Sequence, residues 1–537
     1  MGSRKRKRVR IFGTLRGRAA GLAAAAVVAS VGVVRSAPTA PALPHVDVVV
    51  SPQGDDRAAG TADQPIRTVE RARRLIRTRL PGMNRDLVVV LRGGSYFLKE
   101  PLTFSPADSG RGGHEVVYRN WPGERPVLIG GMPVSGWEAD TEQPGVYRAP
   151  LPSGRRVFQL FQDGRRVRPA RHPNEGYFYI KSGVPQRNAE GEIRKDFRGR
   201  TLTSRTEFHF YDRDLSDAWT DWRGAQVFVW AGHDWFTSLQ PLAEVDHDED
   251  RITLAAPAQV PLVLRGQRRY YVQGVRAALD APGEFWQNPE TGELFLRPFD
   301  GRRPADGSVV VPTMRRVVAF LGSSRERPVH HIRFEGVDVH VSAFADHFVE
   351  TDGTHGKGPW NEPMNKEAAV YLEHADHCAF GHAEIANAGF SGIAVAWSGR
   401  NNRFVGNRIR DCGFHGVLLS GYRSGFGPAM DVNRGHTIAD SWIHDCGRLV
   451  GHGAGLFLHS SGHNRIERNT VHDMPRYGSC IKGEAWLTGE IDGTRELKNL
   501  LDTGPDTWTV TEENKWDYVH SGWNRVAYND FFLCTKD

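Results

Sequence analysis

The sequence predicts an all-β chain: a right-handed parallel β-helix with an N-terminal capping helix and an inserted antiparallel β module. Three observations predict it: five short segments that align without gaps, columns of like residues within that alignment, and no 3.6-residue apolar stripe across the repeats. The segments are Phe380 to Ile385, Phe404 to Ile409, Ile438 to Ile443, Ile466 to Val471 and Val526 to Phe531, with starts 24, 34, 28 and 60 residues apart. A coil is therefore roughly 22 to 28 residues, with insertions of variable length.

Each column has a physical meaning. Asn407, Ser441, Asn469 and Asn529 share one position and can form a ladder in which each side chain satisfies its neighbour's hydrogen bonds. Asn387, Asp411, Asp445 and Asp473 share another, followed closely by glycine in three coils, and read as a turn. A second strand follows Gly392, Gly416, Gly455 and Gly478. Its period of two sends Val395, Leu419, Leu458 and Ile481 to one face and Ala396, Ser420, His459 and Lys482 to the other. Stacked short parallel strands take the right-handed crossover.

The other elements follow from the N-terminus. Residues 1 to 44 carry nine basic side chains and no acidic one, and the rest of the chain holds 60 basic against 63 acidic residues. The formal charge of +6 thus belongs to the leader, and the body has no basic excess to recruit nucleic acid. Ala19 to Val34 is a 16-residue apolar run behind a basic start, shorter than the ~20 residues of a spanning helix. It reads as a secretion signal followed by a Pro-rich linker, giving a secreted protein with no stable membrane span after cleavage. The strand Val46 to Val50 and the helix Arg67 to Leu80, with Val69, Ala72, Leu75, Ile76 and Leu80 on one face, would cap the first coil. Short strands at Leu87 to Leu91, Tyr96 to Leu98, Leu102 to Phe104 and Val116 to Tyr118 begin the coils.

The expected organisation is signal and linker 1–44, cap and first coils 45–130, a β-rich insertion 131–307 rich in Trp and Arg, and main coils 308–537. Trp219, Trp222, Trp230 and Trp235 are expected in the insertion's own core. The five cysteines, an odd number, do not form a disulfide framework. Cys412 and Cys446, in equivalent columns, are expected as stacked thiols, because parallel side-chain vectors suit a bridge poorly. The sequence stops in the turn after a first strand, and the expectation is a chain shortened at its C-terminus.

The stretches VSPQGDDRAAGTADQPIRTVERAR (50 to 73), VVVLRGGSYFLKEPLTF (88 to 104), YRNWPGERPVLIGG (118 to 131), ALDAPGEFWQNPETGELFLRP (278 to 298) and NRIERNTVHDMPRYG (464 to 478) resemble secreted bacterial β-helix proteins of the pectate-lyase-like superfamily. Glycoside hydrolase family 141 and its relatives are the nearest group. The resemblance implies a polysaccharide or oligosaccharide substrate, and in that family the coil just past Asp537 bears an acidic residue implied to be catalytic.

Two chemistries are open. Hydrolysis needs a protonated and an ionised carboxyl, about 5 Å apart in a retaining enzyme and about 9 Å in an inverting one, separations that one or two coils supply. A lyase needs a Lys or Arg base and a neutralised uronate, with Ca²⁺ as the cofactor if so; a hydrolase needs none. Candidate catalytic residues are Asp445, Asp473, Glu484, Lys482 and His459. Candidate substrate-binding residues are His444, His472, Trp486, Trp508, Trp516 and Asp517, the last four on the 483–521 insertion, where long loops on a rigid scaffold commonly hold ligands. No zinc spacing is present. A monomer is expected, and a non-catalytic carbohydrate-binding surface protein is the third reading.

Overall fold

The computed structural model describes residues 45–151, 156–196, 198–231, 236–258, 260–263, 268–345, 347–349, 363–421, 432–482 and 523–534. The leader, and with it the signal reading, lies outside them. Among the described residues no helix is long and apolar enough to cross a membrane.

The chain winds as a right-handed parallel β-helix with three sheets. Sheet 1 runs from Val48–Val50 to Arg525–Ala527, sheet 2 from Gly94–Phe97 to Asp530–Cys534 and sheet 3 from Leu102–Phe104 to Tyr477–Lys482. Each coil passes through them in that order. Helix α1 (Val69–Arg79) closes the top. Thr68 caps it, its Oγ1 accepting from the Arg71 N–H at 3.2 Å, and Val69, Ala72 and Ile76 join the core of the first coils. Arg73 and Arg77 tie the helix to the buried carboxylate of Asp108.

Register places like on like. The inward column of sheet 1 is Tyr118, Phe334, Phe380, Phe404, Ile438, Ile466 and Val526. The first three rings stack nearly parallel, 4.9 and 5.4 Å apart. Full burial of each such side chain contributes about 1.5–3 kcal/mol. The glycine column opening the sheet 3 strands has a steric reason: a Cβ on Gly416 would lie 2.4 Å from Ile443, and on Gly455 2.2 Å from Val471.

The amide ladder of the alignment is present. Asn407 Oδ1 accepts from the Ala383 N–H, Ser441 Oγ from Asn407, Asn469 Oδ1 from Ser441 and Asn529 Oδ1 from Asn469, at 2.9 to 3.2 Å. A second ladder at the corner before sheet 1 has no counterpart in the sequence reading: Asn402, His436, Asn464 and Asn524 accept in turn from the residue one coil above, at 2.8 to 3.2 Å. Burial drives the His436 pKa down to about 3, consistent with its Nδ1 accepting the Asn402 N–H. The turn column Asn387, Asp411, Asp445 and Asp473 is left-handed throughout, with φ of 59, 53, 56 and 52°. All five cysteines are free, Cys412 and Cys446 buried on successive coils.

The inserted module leaves sheet 2 after Pro126–Ile129 and returns to sheet 3 at Val318–Leu321. Its antiparallel strands include Gly131–Val134 and Val309–Pro312, which pair with each other, so its last strand lies past residue 307. Trp219 and Trp222 pack against the module's core. Trp230 does not: with Phe228 and Leu239 it packs on Phe344, Phe348, Phe390, Phe414 and Val450 of the coils. The expectation for Trp230 is thereby corrected, because the ring faces the sheet 2 to sheet 3 turns, where Gly451 leaves it room. Trp235 lies outside the described residues. Strand Phe348–Val349 pairs with the module's Phe236–Asp246, and Arg166 donates to the Ala388 and Asp411 carbonyls at 3.0 and 2.8 Å.

Two predictions follow from the ladders. Asn469→Ala strands the buried Ser441 N–H and should cost about 1–3 kcal/mol in denaturant unfolding. His436 is protonated more readily unfolded than folded, so its contribution to stability falls as pH drops from about 6.5 to about 3, by about 1.4 kcal/mol per pH unit. His436→Asn, restoring the residue of neighbouring coils, should flatten that acid slope in thermal unfolding.

Candidate functional site

Sheets 1 and 2 present ion-paired outer faces, whereas much of the outer face of sheet 3 is buried. Its outward columns are Tyr371, Ala394, Leu418, Phe457 and Cys480, and Glu373, Ala396, Ser420 and His459, with the backbone of Lys482 next in register. Tyr371 is 1% exposed, Ser420 7% and His459 3%. Polar side chains so placed are outward by strand geometry and yet withdrawn from water, which is uncommon for a scaffold surface. His459 was expected outward at a strand end; it is outward and buried.

Two linked sets of groups occupy this face. Lys366, at the end of the 3₁₀ turn Pro363–Lys366, donates to Ser420 Oγ at 2.5 Å and to the Ser420 and Gly421 carbonyls at 3.2 Å. Its ammonium lies 4.4 Å from the Trp397 ring centroid. Burial lowers its pKa to about 7 against the opposing pull of the Glu373 charge. Beside it, Arg316 forks onto Glu367 at 2.7 and 2.9 Å and covers the Tyr371 ring at 3.5 Å, while the Tyr371 hydroxyl donates to Glu373 Oε2 at 2.8 Å. Burial first and the Glu373 charge second raise the Tyr371 pKa, so the phenol stays protonated as a donor.

The sequence candidates divide between two places. His459 and the backbone of Lys482 belong to the sheet 3 column. Asp445, just after the strand Trp442–His444, and Asp473, within Thr470–Met474, hold the equivalent left-handed position where sheet 2 ends, one coil apart. Each accepts from the ring that precedes it, His444 Nδ1 to Asp445 Oδ2 at 2.7 Å and His472 Nδ1 to Asp473 Oδ2 at 2.6 Å, and Arg448 pairs with Asp445. His444 and His472 stack at 5.1 Å and 4°, and the stack continues to Phe532. The half-exposed Trp442 donates from Nε1 to His472 Nε2 at 2.5 Å. The Lys482 side chain, Glu484, Trp486, Trp508, Trp516 and Asp517 lie outside the described residues. Among the described residues no three His, Cys, Asp or Glu side chains converge as a metal site requires.

Lys366, Tyr371, Glu373, Trp397 and Trp442 were absent from the sequence candidates. A signal for two of them existed: the strand Ala368–Asp376 alternates Val370 and Leu372 inward with Tyr371 and Glu373 outward. A repeat search keyed to a preceding glycine passes over it, because Ala369 stands in register with Gly392.

Comparison with known proteins agrees on architecture. Residues 361–491 match the family model described as "Right handed beta helix region". No curated protein matches the sequence significantly. A solved structure named "Glycoside hydrolase" is 19% identical with a TM-score of 0.65, covering 81% of this chain and 79% of that one. Another, "The complex structure of XylC with xylose", is 11% identical with a TM-score of 0.35, covering 80% and 60%. The first likeness is one of fold, and it agrees with the three-sheet winding described above.

The Lys366 shift makes a testable statement about stability. Its pKa is lower folded than unfolded, so the unfolded chain binds the extra proton between about pH 7 and 10.5, and this group's contribution rises by about 1.4 kcal/mol per unit across that window. Thermal unfolding should show Lys366→Met gaining on the wild type most at pH 6 to 7, with the advantage shrinking toward pH 10.

Proposed function

We propose that the chain is a carbohydrate-active enzyme, a glycoside hydrolase whose polysaccharide lies across the outer face of sheet 3. The observation that carries this reading is the pair of buried polar side chains there, Ser420 and His459, in one column with the half-buried Glu373 and beside the buried Lys366. The fold likeness to a structure named as a glycoside hydrolase supports it. Hydrolysis requires two carboxyls, and the candidates are Glu373 on the face, Asp445 and Asp473 where sheet 2 ends, and Glu484 after Lys482. Asp445 and Asp473 are one coil apart, about 4.8 Å along the axis, close to the separation of a retaining pair.

In this reading His444 and His472 hold those carboxylates in place. A protonated Tyr371 steadies Glu373. Export to the cell exterior belongs to the same proposal, as does a monomeric state. Elimination with a lysine base is the second reading. One observation favours it: Lys366 has a pKa of about 7, where a base works near neutral pH.

The experiment incubates the protein with plant and microbial polysaccharides and reads reducing ends together with ultraviolet absorbance. The hydrolase reading expects reducing ends without absorbance. It further expects a loss of about 10²-fold or more in kcat for at least two of Glu373→Gln, Asp445→Asn, Asp473→Asn and Glu484→Gln. Absorbance from a new conjugated C=C, abolished in Lys366→Met, would replace it with elimination. Binding without turnover on every glycan would overturn both.

A further inference from the structure

The outer face of sheet 1 has a different character. One outward column reads Arg333, Ala379, Arg403, Thr437, Arg465 and Arg525, and its neighbour reads Glu335, Gly381, Val405, Ala439, Glu467 and Ala527. Four arginines face two glutamates, with small side chains between them. The charges are unevenly matched. Arg333 is neutralised by Glu115 and Glu335 at 2.8 and 2.5 Å. Glu467 is shared by Arg465, Arg468 and Arg525 at 3.0, 3.3 and 2.9 Å. Exposed Arg403 makes no ion pair or side-chain hydrogen bond among the described residues.

A cavity of about 490 Å³ opens between Arg333 and Arg403, because the outward strand positions of the coil between them are the small residues Ala379 and Gly381. Glu115 and Glu335 line its Arg333 end and are held by that guanidinium, while the Arg403 end carries polar groups suited to hydroxyls: His377, whose Nε2 lies 3.1 Å from Asn401 Nδ2, and His382 across the shelf. The rings of His331 and His377 stack at 5.3 Å and 12°, so this wall is built before any ligand arrives.

Spacing selects the class of ligand. Arg333, Arg403 and Arg465 are two coils apart, about 9.6 Å each. A nucleic-acid strand places a phosphate every ~3.4 Å of duplex axis and would meet most of its charges unpaired here. A glycan with one acidic group per disaccharide carries its charges farther apart, with neutral rings between them to lie over the small residues.

We propose that the outer face of sheet 1 is an accessory binding surface for an acidic polysaccharide, with one sugar ring seated over Ala379 and Gly381 and its carboxylate or sulfate on Arg403. This face is distinct from sheet 3, and the proposal stands whichever chemistry, if any, sheet 3 performs.

The test titrates the full-length protein with hyaluronan, which alternates uronate and neutral sugar, and with dextran as the uncharged control, at low and moderate salt. Hyaluronan should bind and dextran should not, with affinity falling as salt rises. Arg403→Ala should weaken binding roughly tenfold, the loss of one charge-assisted contact, while Arg403→Lys retains most of it. Arg403→Ala with Arg465→Ala should abolish it. Thermal midpoints of Arg403→Ala and Arg403→Lys should match the wild type, since Arg403 makes no ion pair or side-chain hydrogen bond among the described residues. Failure of the wild type to bind hyaluronan, equal binding of dextran, or undiminished binding by Arg403→Ala would each overturn the proposal. Tighter binding of single-stranded DNA through the same arginines would overturn it in favour of a nucleic-acid surface.

Discussion

The backbone register between coils is the constraint on which everything else depends. Once one strand hydrogen-bonds to the strand a coil below, every side chain is committed to a neighbour about 4.8 Å away. Charge on like charge, or a buried amide on nothing, is then costly at every level. The chain meets this with stacked Tyr118, Phe334 and Phe380 inside, with carboxylates tied to rings or guanidiniums outside, and with two amide ladders at the corners. The ladders matter because a corner breaks the strand ladder and leaves N–H groups that must find an acceptor.

That commitment also explains how much of the molecule could be read from its residues. Columns visible in the alignment, such as Asn407, Ser441, Asn469 and Asn529, reappear as hydrogen-bonded columns because stacking repeats chemistry at a fixed interval. The second ladder was hidden because its member on one coil is His436, an imidazole doing the work of an amide, and no search for repeated asparagine finds it. The module's strands were legible as strands, but the destination of Trp230 was not, since packing across a long insertion leaves no periodic trace.

The candidate site was legible only in part, for a similar reason. Sequence adjacency groups His444, Asp445, His459, His472 and Asp473, yet the coil carries them to different faces, because a turn separates sheet 2 from sheet 3. Lys366 reaches its position from a turn outside any repeat, so its proximity to Ser420 depends on tertiary structure alone. Burial on an outward face, the property that singles out sheet 3, belongs to the folded chain and to no local pattern of residues.

The pairing of Phe348–Val349 with the module's long strand has a mechanical consequence. That short strand belongs to the connection from sheet 2 to sheet 3 within one coil, so the module is hydrogen-bonded to the solenoid's own winding. Together with the Arg166 anchors on two coil carbonyls, this makes the module a fixed jaw rather than a gate. Anything that docked on the neighbouring sheet would therefore meet, on that side, a wall whose position is set at folding.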